Sequence, residues 1–144
     1  MSDEQALAKK VYDAMYENDE MSQWLGIEAL EIGPGVAVLR MTVRKEMLNG
    51  MDIAHGGITY SLSDSALAFA SNSHGRKSVS VETSISHIKP VYANDVLTAT
   101  TKEERVTNKI AIYTIAVTNQ QNEKVALFKG TVYRSSLDWF AVKE

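Results

Sequence analysis

The chain has 144 residues, with 15 Lys and Arg against 18 Asp and Glu, a net charge of -3 and no Cys. Its length suits a single domain over 1–144, the lack of a basic cluster argues against a nucleic-acid partner, and the missing thiols exclude disulfides, thiolate nucleophiles and Cys-based metal sites. The acidic start and the absence of any apolar run near the ~18 residues of a membrane span predict a soluble cytoplasmic protein with no membrane partner.

Leu7, Val11, Ala14 and Met15 recur at helical spacing among charges, which predicts an amphipathic N-terminal helix over about 3–19 packed as a lid. Met21 to Leu25 reads as a further turn of helix. Gly26 opens an extended segment, Ile27 to Ile32, and Gly33-Pro34-Gly35 turns it into a second strand, Val36 to Val43. After a loop from Arg44 to Ala54, Ile58 to Ser73 contains no Gly or Pro and is small or apolar on nearly every side. It is expected to be a helix buried over most of its circumference.

Beyond Gly75, Val79, Val81, Thr83 and Ile85 alternate with Ser80, Glu82, Ser84 and Ser86, the pattern of a strand with one wet face. Pro90 and Ala93-Asn94-Asp95 close it. Val96 to Thr101, Lys109 to Thr118 and Lys124 to Tyr133 follow as strands, with Asn119-Gln120-Gln121-Asn122 as a hairpin loop and a short tail, about 135–144, carrying Trp139 and Phe140. Ile110, Ile112, Ile115 and Val117 make the second of these apolar on both sides, so it belongs centrally in a sheet covered on both faces. The expected fold is α+β, an antiparallel sheet of five to six strands curled round one long helix. One helix cannot cover both faces, so a second subunit is needed.

Met47-Leu48-Asn49-Gly50, His55-Gly56-Gly57 and Ser61-Leu62-Ser63-Asp64, in this order and spacing, resemble the hot-dog-fold thioesterases, and within them the phenylacetic-acid-degradation type. Met15-Tyr16-Glu17-Asn18-Asp19, Asn72-Ser73, Leu97-Thr98-Ala99-Thr100 and Val125-Ala126-Leu127-Phe128-Lys129-Gly130 extend the likeness over roughly 11–134. The resemblance implies hydrolysis of aryl- or other acyl-coenzyme A thioesters to the acid and free coenzyme A. Coenzyme A is then part of the substrate and no separate cofactor is required. Two departures from the usual pattern, Asn94-Asp95 and Ser63, leave that chemistry untouched.

Thioester hydrolysis needs a carboxylate or other base and donors for the oxygen that becomes an oxyanion. Asp64 is a lone carboxylate among Ala, Leu and Phe, a position that costs several kcal/mol unless it is paired, hydrated or protonated. Gly56 and Gly57 open the helix and can offer backbone N–H groups backed by its dipole. Eight residues separate Gly56 from Asp64, about 12 Å along a helix, too far for one carbonyl to meet both. Two copies with antiparallel helices would bring Gly56 of one beside Asp64 of the other, and the resemblance likewise implies sites shared across a dimer. A homodimer is therefore the minimal active unit and a tetramer the expected assembly.

The resemblance adds Asn49 to the catalytic set, with loop capping as the alternative, and His55 to the residues beside the substrate, with helix capping as its alternative. Gly57 and Ser84 are taken as substrate-binding. For Asp64 the alternative is an acid satisfied by hydroxyls such as Ser61. His55, His74 and His87 have no metal-ligand spacing, so no metal is expected. Lys89, Arg76, Lys77, Arg134 and the Lys102–Arg105 run are unranked candidates for the coenzyme's phosphates. Trp24 and Tyr16 are assigned to the core, with a lining of the acyl pocket as the alternative. Two other functions fit the resemblance less well: an acyl-coenzyme A hydratase or dehydratase, and a non-catalytic acyl-coenzyme A-binding regulator.

Overall fold

The computed structural model describes residues 1–140. The Trp139 and Phe140 end of the expected tail lies within them, while 141–144 fall outside the described residues. Helices α1 (Asp3–Glu17), α2 (Glu20–Leu25) and α3 (Gly56–Asn72) accompany strands β1 (Glu28–Gly33), β2 (Val36–Thr42), β3 (Arg76–His87), β4 (Val96–Val106), β5 (Ile110–Thr118) and β6 (Lys124–Asp138). The strands form one antiparallel sheet in the order β1-β2-β4-β5-β6-β3. Helix α3 touches all six, which is the expected hot-dog arrangement. Among the described residues, no helix is long and apolar enough to cross a membrane.

Burial explains the grip of the sheet on α3. Leu62, Leu67 and Phe69 are at most 1 % exposed, each contributing about 1.5–3 kcal/mol by leaving water. They pack among Leu39, Leu97, Tyr113, Ile115 and Phe128 in one cluster. Leu67 of the helix packs tightly against Gly130 on β6. A Cβ built there would lie 2.5 Å from Leu67 Cδ2, so an alanine would force the Leu67 side chain to shift. On the other flank, Tyr12 of α1 meets Phe69 edge-on at 4.9 Å between ring centres. The lid therefore seals α3 with an aromatic contact.

Several elements differ from the sequence-based expectation. Strand β4 continues through Lys102-Glu103-Glu104-Arg105 to Val106, and β6 runs on to Asp138, taking in 135–138 of the expected tail, where Asp138 pairs with Arg76. Trp139 then ties the end down, its indole N–H donating to Asn72 Oδ1 at 2.8 Å. Trp24 is not core: it is 47 % exposed, with the Arg44 guanidinium 4.8 Å from its ring centre. Tyr16 is half-buried against the core and donates to the Ile27 carbonyl.

The alternation read in β3 does not survive along its length. A bulge between Ser80 and Glu82 shifts the register, so Ser80 pairs with Val132 but Glu82 with Thr131. Before it, Ser78 faces the helix side with buried Val132, and Val79 goes outward beside Tyr133. After it, Thr83 and Ile85 face inward opposite Gly130 and Phe128. Strand β5 is interior as expected: Ala111, Tyr113, Ile115 and Val117 are buried, while Ile110 on the opposite face is 36 % exposed within one protomer.

The tight approach at Gly130 yields a measurable contrast. Gly130→Ala should lower stability by about 1–3 kcal/mol, the usual cost of overpacking, whereas Gly57→Ala, whose new Cβ meets nothing within 4 Å, should cost less by the same urea titration.

Candidate active site

The loop between β2 and α3 is held by its own backbone and by one side chain. Asn49 Oδ1 accepts from the Met51 N–H at 2.9 Å and more weakly from Ile53, its N–H donates to the Ile53 carbonyl, and the His55 N–H donates to Met47 O. The capping role of Asn49 is thus real. It uses only the oxygen: the side-chain amide has no hydrogen-bond partner among the described residues, and Asn49 lines a cavity of about 300 Å³ with Ala54, Gly56, Thr59, His87 and Val125. One side of this amide shapes the loop and the other is free for a ligand.

His55 occupies the N-cap position of α3, yet its side chain makes no capping bond. His55, Gly56 and Gly57 are exposed. Ile58 donates to the His55 carbonyl, so the first paired N–H of the helix comes two residues after Gly56. The Gly56 and Gly57 N–H groups donate to nothing among the described residues, leaving two amides at the positive end of a seventeen-residue helix.

Sequence reasoning treated His87 only as a failed metal ligand, and the structure places it at this cavity. Its Nδ1 lies 3.2 Å from Thr59 Oγ1, and Thr59 Oγ1 donates to the Gly56 carbonyl at 3.2 Å. The Nε2 of His87 makes no hydrogen bond among the described residues, so that side of the ring is available to a ligand. Nε2 would be 3.0 Å from a Cβ on Gly56, so alanine there would crowd the ring. No local motif marks His87; only the end of β3, curling over the helix start, brings it in.

Asp64 sits elsewhere. It lines a second cavity of about 230 Å³ with Leu67, Ala68, Ser71, Ser78, Val79, Ser80 and Val132. The two cavities share no residue. Burial raises the Asp64 carboxyl above the usual carboxylate range, and the charge of Asp19 adds to the effect. Asp19 is held nearby because its carboxylate accepts from Ser22 Oγ at 2.6 Å while Ser22 Oγ bonds Ser65 Oγ at 2.7 Å. No hydroxyl, Ser61 included, bonds Asp64 among the described residues, so the expected structural alternative finds no partner. Ser84 is in neither cavity: beyond the bulge it pairs with Lys129 on the outward face. Among the described residues no group of three or more His, Cys, Asp or Glu side chains is placed to hold a metal ion.

A curled sheet on one helix, with free amides at the helix start and an unpaired carboxylate in its middle, defines a class of thioester hydrolase. The chain belongs to the thioesterase superfamily, whose family model matches residues 51–126. It is 43% identical over 133 residues to a putative esterase of Archaeoglobus fulgidus, covering 92% of this chain and 86% of that one. It is 42% identical over 121 residues to the acyl-coenzyme A thioesterase PaaI of Escherichia coli, covering 84% and 86%. The structure of the Escherichia coli PaaI protein, from the phenylacetic acid degradation operon, superposes with a TM-score of 0.91 at 39% identity over 93% of this chain and 97% of that one.

The raised carboxyl of Asp64 links function to stability. The folded state holds that proton more tightly than the unfolded chain, so the contribution is full below the ordinary carboxylate pKa and is lost as pH rises through the raised one. Asp64→Asn should therefore raise Tm by a few degrees at pH 8, with the gain vanishing below about pH 3.9, the unfolded value. Calorimetric scans across that range check it.

Proposed function

We propose that the protein hydrolyses acyl-coenzyme A thioesters, aryl esters of the phenylacetyl type foremost, at sites completed by a second copy of the chain. The observation that carries this reading is the division of the site. Gly56, whose amide is free, lines one cavity with Asn49 and His87, and Asp64 lines another. The two groups are about 12 Å apart along one rigid helix, and no side-chain motion closes that gap. The relative named as an acyl-coenzyme A thioesterase and its operon context support the substrate class.

In this reading the thioester carbonyl oxygen points at the Gly56 end of one protomer, where developing negative charge meets unpaired N–H donors. The partner's Asp64 either takes a proton from the attacking water or attacks the carbonyl itself. A C–O bond forms, the C–S bond breaks, and the electron pair leaves on the coenzyme's sulfur, which takes up a proton. Water attack releases the acid in that step, whereas attack by the partner's Asp64 leaves an acyl–aspartate anhydride that water then cleaves to the acid and the free carboxylate. A carboxyl whose pKa is raised by burial is a better base than an ordinary aspartate. Asn49 orients the thioester, and His87 Nε2 hydrogen-bonds the substrate's amide-bearing arm.

Two features support a pair of copies as the working unit. Strand β3 is a twelve-residue sheet edge with no strand beyond it in one protomer, a surface that proteins normally cover. Val79 and Val81 on it are 64 % and 60 % exposed.

Asp64→Ala should lower kcat by about 10²- to 10⁴-fold, the range of a lost general base, in a thiol-release assay with phenylacetyl-coenzyme A. Mixing Asp64→Asn with Asn49→Ala protomers under conditions of subunit exchange should restore roughly one quarter of parental activity. Half of randomly paired dimers would be mixed, with one intact site of two. No recovery, with exchange verified by mass spectrometry, would show that each protomer works alone.

A further inference from the structure

Of the cations left unranked by sequence, Lys77 lies over the Trp139 ring and Arg105 lines none of the cavities described. Lys89 is paired with Glu123, Arg40 with Glu28, Arg44 with Glu46, Lys9 with Asp13 and Lys102 with Glu104. Arg76, Lys109 and Arg134 have no salt bridge among the described residues, and all three line one cavity of about 270 Å³ together with Asn108, Tyr133 and Ser136. No carboxylate lines it. Glu103 is the acid whose ionisation responds to Arg134, and it is already engaged by His74 at 2.7 Å and Tyr113 at 2.6 Å.

The cluster is built rather than incidental. Arg76 spends four of its N–H groups on the carbonyls of Ser135, Asn108 and Arg134 and on Asn108 Oδ1, which clamps its guanidinium between β6 and the β4–β5 turn. One N–H remains. Arg134 spends one, on the Thr107 carbonyl at 2.6 Å, and keeps four; Lys109 makes no side-chain bond and keeps three. Three like charges gathered without an acid repel one another, and a multiply charged oxyanion relieves that repulsion while taking up the free donors.

Its position connects it to the reaction. In the β3–β6 ladder Arg134 pairs with Ser78 and Tyr133 with Val79, and Ser78 and Val79 line the Asp64 cavity. The two cavities thus adjoin across two successive rungs. From Ser80, beside Asp64, to Arg76 is four strand residues, about 13 Å at the usual rise, a reach of the order of the extended pantetheine arm.

We propose that Arg76, Lys109 and Arg134 form the site that takes the phosphate groups of the coenzyme A half of the substrate, on the same protomer that contributes Asp64. The assignment of the ligand rests on the thioesterase reading above; the existence of an anion site does not.

Lys109→Glu, which breaks no internal hydrogen bond, and separately Arg134→Gln are compared with the parent protein in two measurements. In equilibrium titration with coenzyme A, each variant should bind about tenfold or more weakly, the loss expected for a charge-assisted contact, while binding of pantetheine, which carries no phosphate, stays as in the parent. In turnover, KM for phenylacetyl-coenzyme A should rise by a similar factor with kcat within about twofold, and the matching N-acetylcysteamine thioester should be hydrolysed by parent and variants alike. Equal coenzyme A binding in parent and Lys109→Glu would overturn the site, as would parallel losses for both thioesters. Inorganic phosphate binding as tightly as coenzyme A would overturn the assignment to the nucleotide. Charge-dependent coenzyme A binding without thiol release from either thioester would support the site and defeat the thioesterase reading instead.

Discussion

Everything in this fold is arranged about a single rod. Helix α3 is gripped by six strands and sealed by the Tyr12–Phe69 contact, which holds its first turn and its middle in a fixed relation. Its first turn carries amides that no protein group among the described residues satisfies, and its middle carries a carboxylate whose pKa burial raises. The amides face solvent, whereas the partly buried acid costs stability, and under the proposed function their separation along one helix is the reason a second copy completes the site.

The sheet manages this by breaking its own regularity at two places. The bulge at Ser80/Glu82 turns Ser78 and Ser80 toward Asp64 and lets His87, at the strand's end, reach over the helix start. The bulge at Glu103/Arg105 sits where Glu103 meets His74, just past the C-terminal end of α3, and Tyr113 of the neighbouring strand. These two hydrogen bonds hold the Glu103 carboxyl below its usual range, although burial alone would raise it. The far end of the helix is therefore anchored by a satisfied acid, in contrast with the unsatisfied one at Asp64. The difference is one of neighbours, since both carboxylates are partly withdrawn from water.

Much of the candidate site was legible because it is local. The run Asn49 to Asp64 contains a turn, two glycines, a helix start and a carboxylate two turns in, and the helical rise alone gives their separation. The core faces of β5 and α3 were equally plain, since Ile115, Val117, Leu62 and Leu67 follow the periods of a strand and a helix. What failed did so where a residue's environment is set by chain far from it. Val79 and Val81 read as inward by alternation, but the unpaired residue of the bulge reverses the phase. Trp24 read as core by its size, but Arg44 stacks on it at the surface.

By itself, then, the sequence determined the antiparallel α+β class, the buried central helix and the conflict between its amide end and its acid, because hydrophobic period and helical rise act over neighbouring residues. Only the tertiary structure decided that His87 stands over Gly56, that Asp64 lacks a hydroxyl partner, and that Arg76, Lys109 and Arg134 share one cavity. Those residues are brought together by the register of β3 on β6 and by the crossover that carries the chain from β2 through α3 to the far sheet edge. Such pairings are properties of the closed sheet, and no window along the chain contains them.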